Sequence, residues 1–122
     1  MAAPIVHFEL GFKDAAKAQA FYGPLFGWEF MAYGPAAMIT NLGPERGTAG
    51  IGGHLNQLGH PPHNYCVVYA LVDDIEATLA KVGQLGGTTL VPKQEVPGMG
   101  WFAWFKDPEG NVVGVWKAAM KK

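Results

Sequence analysis

Serine is absent from the sequence, and cysteine occurs once, at Cys66. Without serine, and with no histidine near Cys66 along the chain, a catalytic nucleophile has little support. A lone cysteine cannot form an internal disulfide, so we expect a reducing, cytoplasmic setting. Cys66 alternates with Tyr65 and Val67 in one predicted strand, and we expect it to be a buried packing residue on the opposite face.

Charge is also scarce. Charged residues make up 16% of the chain and the formal net charge is −1, so nothing in the electrostatics favours binding to nucleic acid or anionic lipid. No apolar run approaches the roughly 18 residues of a membrane-spanning helix, and the amino end lacks the basic and apolar stretches of a secretory leader. We therefore expect neither nucleic acid nor a membrane as partner.

Turn-forming and apolar residues, in contrast, are abundant: 17 glycines, 9 prolines and 49% hydrophobic residues. The glycines and prolines fall between periodic segments, which predicts many short elements joined by sharp turns. A length of 122 residues leaves room for one core. We predict a single domain over 1–122.

The first half of the chain predicts a β-α-β-β-β unit. Alternation over 5–10 indicates a strand with His7 and Glu9 on one face. Asp14 is placed to cap a helix that Gly27 ends. Three further strands are predicted at 28–32, 36–41 and 49–55.

The second half repeats this order. A strand is predicted at 65–72, Asp73 or Asp74 caps the following helix, and the Gly86-Gly87 pair ends it. The next strand begins at residue 88 and continues as an edge strand or a loop. A shift of sixty positions places Asp14 on Asp74 and Gly27 on Gly87, which predicts a duplication with matching helix starts and stops. The predicted parts are module one at about 4–56, a connector at about 57–63 and module two at about 64–118.

The last two strands are predicted to form a hairpin around 107–111. Pro108 fixes φ there, and Gly110 accepts a positive φ. An aromatic run precedes the turn and a β-branched run follows it. Gly114 interrupts the second run, and a glycine inside a strand marks a bulge or a close approach. We expect open space beside it.

Four segments together resemble the vicinal oxygen chelate superfamily of glyoxalases, extradiol dioxygenases and bleomycin-resistance proteins. They are H-F-E-L-G-F-K-D-A-A-K-A-Q-A-F-Y-G-P-L-F-G-W, V-D-D-I-E-A-T-L-A-K-V, L-G-G-T and F-K-D-P-E-G-N-V-V-G-V-W. The resemblance covers nearly the whole chain. It implies an α+β fold in which two β-α-β-β-β modules form a curled mixed sheet around a shared cavity, and it implies a homodimer.

The resemblance also implies where a metal would bind. Metal-dependent members take one ligand from the first and one from the last strand of each module, commonly His and Glu. In this chain His7 and His54 match the two positions of module one. The sixty-residue shift carries them onto Val67 and Gly114, which have no donor side chain. No cofactor is therefore favoured, although His7 and His54 could hold a divalent metal if Glu9 or a dimer mate contributed. We expect His60 and His63 of the connector to be solvated loop residues.

Strand periodicity predicts the residues that line the cavity. They are His7, Glu9, His54, Tyr65, Val67, Tyr69, Gly114 and Trp116. An aromatic wall with a few polar groups suits a flat or apolar small ligand, although the same aromatics could instead fill a closed core. Glu9 is a candidate general base if the cavity raises its pKa, and a carboxylate paired with a lysine or exposed at the cavity mouth is the alternative.

Two functions remain open at this point. One is a glyoxalase-like protein that binds a small ligand without the four-ligand metal site. The alternative is a lyase, isomerase or dioxygenase that uses a metal held by a reduced or dimer-shared ligand set including His7. Whether the protein is an enzyme stays open.

Overall fold

A computed structural model describes residues 2–34, 36–57 and 64–119. Within these residues it contains eight strands and two α-helices. The first half comprises β1 (Ile5–Phe12), α1 (Ala15–Phe26), β2 (Phe30–Tyr33), β3 (Ala36–Ile39) and β4 (Gly52–Gln57). The second comprises β5 (Tyr65–Leu71), α2 (Ile75–Gln84), β6 (Thr88–Val96), β7 (Gly100–Lys106) and β8 (Val112–Ala118). The predicted α+β class and the two β-α-β-β-β modules are confirmed.

The contacts divide the chain into two compact units. One is His7–Val67, and the other combines the described residues before His7 with those after Val67. In the His7–Val67 unit the strand order is β2-β3-β4-β1, with β4 and β1 parallel and the other pairs antiparallel. Its core forms around Ala18 of α1, Ala37 of β3 and Leu55 of β4.

The other unit has the equivalent order β6-β7-β8-β5, with β8 and β5 parallel. Its core forms around Ile75 of α2, Ala103 of β7 and Val115 of β8. Strand β6 continues unbroken to Val96, with register irregularities against β7. The segment left open as edge strand or loop is thus mostly strand.

The internal registers agree with the sixty-residue shift. Glu9 pairs with His54 across β1 and β4, and Tyr69 pairs with Gly114 across β5 and β8. These are the same positions after the shift, because 9 + 60 is 69 and 54 + 60 is 114. The register between two strands is strongly specified wherever one sheet face is buried. The agreement between the two registers is therefore stronger support for a duplication than the few matching residues at the helix ends.

The helix starts also match, but the stops do not. Asp14 accepts a hydrogen bond from the Lys17 backbone N–H at 3.2 Å, and Asp74 accepts one from Ala77 at 3.0 Å. Gly27 ends α1 in the left-handed conformation with φ 70°. Helix α2 ends at Gln84 with Leu85 as its C-cap, and Gly86 follows with φ 96°, so the second stop falls two residues earlier than the predicted match at Gly87. The α2 cap is Asp74 rather than Asp73.

The predicted hairpin turn is present. The Asp107 carboxylate accepts backbone hydrogen bonds from Glu109 at 2.9 Å and Asn111 at 3.0 Å, and Gly110 adopts φ 90°. Another bound differs: β4 begins at Gly52, after a 3-10 turn at 44–46 and a stretch at 47–51 that is neither helix nor strand. His60 and His63, with the rest of the connector after residue 57, lie outside the described residues.

Candidate functional site

The parallel pairing of β1 with β4 brings polar side chains together. Glu9 lies opposite His54, and Gly11 lies opposite Asn56. Because side chains two apart on a strand share a face, His7 and Glu9 of β1 lie beside His54 and Asn56 of β4. Tyr65, the first residue of β5, completes the group within the same unit.

Glu9 is the centre of this group, and only 4% of the residue is exposed. Its Oε1 lies 3.2 Å from His54 Nε2. Its Oε2 accepts a hydrogen bond from Asn56 Nδ2 at 3.3 Å and another from the Tyr65 hydroxyl. A buried carboxylate is tolerable only with such compensation. Three donors from two other strands therefore explain how Glu9 can lie inside the fold.

His54 extends the array to His7. The His54 Nδ1 and His7 Nε2 atoms are 2.7 Å apart. A hydrogen bond from His54 Nε2 to Glu9 Oε1 would leave His54 Nδ1 as the acceptor and His7 Nε2 as the donor of the contact between the two rings. In that arrangement the position of Glu9 determines which ring nitrogen of each imidazole carries the proton.

Burial perturbs two members of the array. Burial, followed by the neighbouring His54, lowers the pKa of His7 to about 4, with Glu9 opposing the shift. His7 is therefore neutral at pH 7. Burial and the hydrogen bond to Glu9 raise the pKa of Tyr65 well above its usual value, so its hydroxyl keeps the proton that it donates.

A glycine makes room for Tyr65. A Cβ placed on Gly11 would lie 2.1 Å from Tyr65 Cε2, so the ring occupies the space that any other side chain would need. Gly53 has the same relation to Phe8, whose ring would be 2.5 Å from a Cβ there. Neither Gly11 nor Asn56 was singled out from the sequence. Both follow from period two, since Gly11 lies two residues after Glu9 and Asn56 two after His54.

The equivalent positions of module two are filled by apolar packing. Val67 is 1% exposed and Tyr69 is 4% exposed. The Tyr69 ring covers Gly114, where a Cβ would lie 2.5 Å from Cδ2, and the Tyr69 hydroxyl accepts a hydrogen bond from Trp104 Nε1 at 2.8 Å. The expected open space beside Gly114 is therefore wrong. Sequence alone could not show this, because an empty position in a strand does not reveal which neighbouring ring fills it.

The structure also gives the positions of Trp116 and Cys66. Trp116 lies on β8, opposite Leu71 of β5 and Phe102 of β7, and is half-buried. Cys66 is exposed, so its expected burial is wrong. Strand alternation placed Cys66 correctly opposite Val67, but the face that it shares with Val68 is open in the described residues.

The donors present do not match the four-ligand set of the metal-dependent relatives. Val67 and Gly114 supply none, and both ring nitrogens of His54 lie within hydrogen-bonding or ion-pair distance of His7 and Glu9. Over 2–34, 36–57 and 64–119, no group of three or more His, Cys, Asp or Glu side chains is arranged to hold a metal ion.

Comparison with known proteins gives the family. The pattern of the Glyoxalase/Bleomycin resistance protein/Dioxygenase superfamily matches residues 4–115. The chain belongs to this superfamily. CFP32 of Mycobacterium bovis, named as a glyoxylase, is 32% identical over 86% of this chain and 40% of its own length. The anthracycline biosynthesis protein DnrV of Streptomyces peucetius is 29% identical over 93% of this chain and 46% of its own. The chain thus spans less than half the length of these relatives.

Solved structures show the same fold at low identity. Methylmalonyl-CoA epimerase of Streptomyces coelicolor has a TM-score of 0.68 at 15% identity, covering 98% of this chain and all of its own. A Mn(II)-bound glyoxalase of Novosphingobium aromaticivorans has a TM-score of 0.60 at 20% identity, covering 98% of this chain and 41% of its own. At such identities the likeness concerns the fold alone. Neither described helix has the length and apolar character needed to cross a membrane.

Proposed function

We propose that this protein binds a small, flat or apolar ligand in a site that lacks a metal centre with four protein ligands. His7, Glu9 and His54 form the polar part of this site. The observation that carries the proposal is the continuous array from His7 through His54 to Glu9, with a 2.7 Å contact between the two imidazoles. His54, Asn56 and Tyr65 compensate the buried Glu9 carboxylate.

A metal at the same place would have to break existing contacts. A cation bound by His7 Nε2 or His54 Nδ1 must replace the contact that joins them. His7, His54 and Glu9 are the histidine and carboxylate side chains of this group, since Val67 and Gly114 contribute none. Three ligands suffice for an open catalytic site when outer hydrogen bonds fix them, but here the three side chains contact one another instead.

The ligand class rests on the apolar surroundings and on the relatives. Tyr65 belongs to the same unit as the array, its hydroxyl donates to Glu9 and its ring lies against Gly11 of β1. Aromatic side chains favour stacking with flat ligands. One relative is named for anthracycline biosynthesis, and a hydroxylated anthraquinone is therefore a suitable probe. The single domain over 1–122, the homodimer and the cytoplasmic setting remain predictions.

The test combines metal analysis with binding. Protein purified without chelator should contain far less than one metal per chain. It should quench or shift the fluorescence of a hydroxyanthraquinone, and His7→Ala should weaken this binding about tenfold through loss of one polar contact worth roughly 1.4 kcal/mol. The matched control is Glu95→Ala, an exposed carboxylate on β6, which should bind as the wild type does.

The second candidate is a metal-dependent enzyme with a reduced ligand set. It is favoured by one observation, the convergence of two imidazoles and a carboxylate within one unit. Stoichiometric divalent metal that disappears in His7→Ala would establish this candidate and overturn the metal-free proposal.

A further inference from the structure

Three aromatic rings each lie over a glycine and occupy the space that a side chain would otherwise fill. The pairs are Tyr65 with Gly11, Phe8 with Gly53 and Tyr69 with Gly114, and a Cβ on the glycine would lie 2.1, 2.5 and 2.5 Å from the ring. Real Cβ contacts are never this short, so each ring depends on its glycine. Aromatic packing over a glycine is a known means of stabilising a strand.

One of these pairs differs in chemistry. The Tyr65 hydroxyl donates to Glu9 Oε2, whereas Phe8 has no polar atom. We propose that Gly11 is a positioning residue of the site: its missing side chain admits the Tyr65 ring, and the ring position brings the hydroxyl to Glu9. Gly11 thereby orients the carboxylate that His54 contacts. This inference deepens the proposed function, because it assigns a role to a residue outside the polar array.

The steric argument gives the direction of the effect. Three Tyr65 ring atoms would lie within 2.5 Å of a Cβ on Gly11, so the ring must move by about 1 Å or more to reach ordinary contact distance. Hydrogen bonds weaken steeply with distance and misalignment. Glu9 would then lose the Tyr65 hydroxyl, while its contacts with Asn56 and His54 remain. A carboxylate with fewer donors accepts more strongly from the imidazole that remains.

The experiment compares Gly11→Ala, Tyr65→Phe and Gly53→Ala. Tyr65→Phe keeps the ring and removes the hydroxyl. Gly53→Ala imposes a similar overlap on Phe8, in the same unit, without touching a donor to Glu9. The readout is the ring ¹⁵N chemical shifts of His54 at constant pH 7.5, assigned with a His54→Gln variant, together with Tm.

Gly11→Ala and Tyr65→Phe should shift the His54 ring nitrogens in the same direction and by similar amounts. Gly53→Ala should lower Tm while leaving those signals in place. An unchanged His54 signal in folded Gly11→Ala would overturn the proposal. An equal shift of the His54 signals in Gly53→Ala would also overturn the proposal, because it would show that any loss of packing in this unit changes those signals.

A double variant covers the case in which Gly11→Ala does not fold. In a Tyr65→Ala background the ring is absent, so adding Gly11→Ala should leave Tm within about 2 °C of Tyr65→Ala alone. An equal loss of Tm in both backgrounds would contradict the steric origin. All of these signals are measured without ligand or metal. Failure of anthraquinone binding would therefore count against the proposed function and leave this inference standing.

Discussion

At the scale of single residues, the site is organised by one buried carboxyl group. Glu9 is 4% exposed and is compensated by His54, Asn56 and Tyr65. Two of these partners lie on β4 and one on β5. The carboxylate therefore ties three strands together, and its removal has a structural as well as a chemical consequence.

Glu9→Ala should lower the free energy of unfolding by about 3 kcal/mol, because it leaves three half-buried partners without their shared acceptor. Urea unfolding followed by tryptophan fluorescence measures this directly. Glu95→Ala removes an exposed carboxylate and should stay within about 0.5 kcal/mol of wild type. A loss below about 1 kcal/mol in Glu9→Ala would show that Glu9 is not compensated as described.

The protonation of His7 predicts a pH dependence. Burial holds its pKa at about 4 in the folded protein, below the ordinary value of 6.5, so the unfolded chain binds more protons between these values. The contribution of His7 to the free energy of unfolding should be fully present above pH 6.5. It should be lost as the pH drops toward 4, with a slope of at most about 1.4 kcal/mol per pH unit. Urea midpoints of wild type and His7→Gln at several pH values isolate this contribution. Parallel curves for the two proteins would refute it.

Sequence reasoning reached His7, Glu9 and His54 because strand alternation and the sixty-residue shift depend only on order along the chain. Tyr65 was placed as a wall residue, not as a donor to Glu9. The difference has a physical cause. Which side chains touch depends on the register between β1 and β4 and on the space left by Gly11, and neither is set by local propensity.

At the scale of elements, the two modules share caps and register but differ in their helix ends. Asp14 and Asp74 occupy equivalent positions and accept the same type of backbone hydrogen bond. The sequence predicted these starts because an N-cap needs a short polar side chain before an apolar helical pattern. Gly86 and Gly87 both suit a helix end, so composition could not decide which one adopts the left-handed conformation.

Asp14→Ala and Asp74→Ala should each destabilise the protein by about 1 kcal/mol, as expected for a lost N-cap. Asp73→Ala is the matched control, since Asp73 is exposed, adjoins the cap and does not occupy the N-cap position of α2. Thermal unfolding of the three variants gives the comparison. A larger loss in Asp73→Ala than in Asp74→Ala would reassign the cap.

At the scale of the whole molecule, the family could be predicted from sequence and the ligand could not. The fold determines the spacing of turn and cap residues such as Asp74 and Gly110 along the sequence. That spacing pointed to the superfamily whose pattern matches residues 4–115. The ligand depends instead on a few side chains that line a site. One relative is named as a glyoxylase and another for anthracycline biosynthesis, and a shared fold does not fix a function, because function resides in sites.

Chelation tests the metal-free proposal on the intact protein. A ligand that binds the folded state raises stability by RT ln(1 + [L]/Kd), so a structural or catalytic metal would make Tm sensitive to its removal. We expect Tm to change by less than about 1 °C in excess EDTA, in wild type and in His7→Ala alike. A clear fall in wild type, reversed by added Mn²⁺ and absent from His7→Ala, would contradict this expectation.

The Tyr69 ring over Gly114 has a consequence for how this site could change. In module one the equivalent pair of neighbours is Glu9 and His54, which both carry polar side chains, whereas in module two the Tyr69 ring alone fills the space of the pair. A donor side chain cannot enter at position 114 while Tyr69 occupies its space. Any route, natural or engineered, from this chain to a metal-binding relative must therefore shrink residue 69 before, or together with, enlarging residue 114. The order of the substitutions is constrained even though each position alone looks permissive.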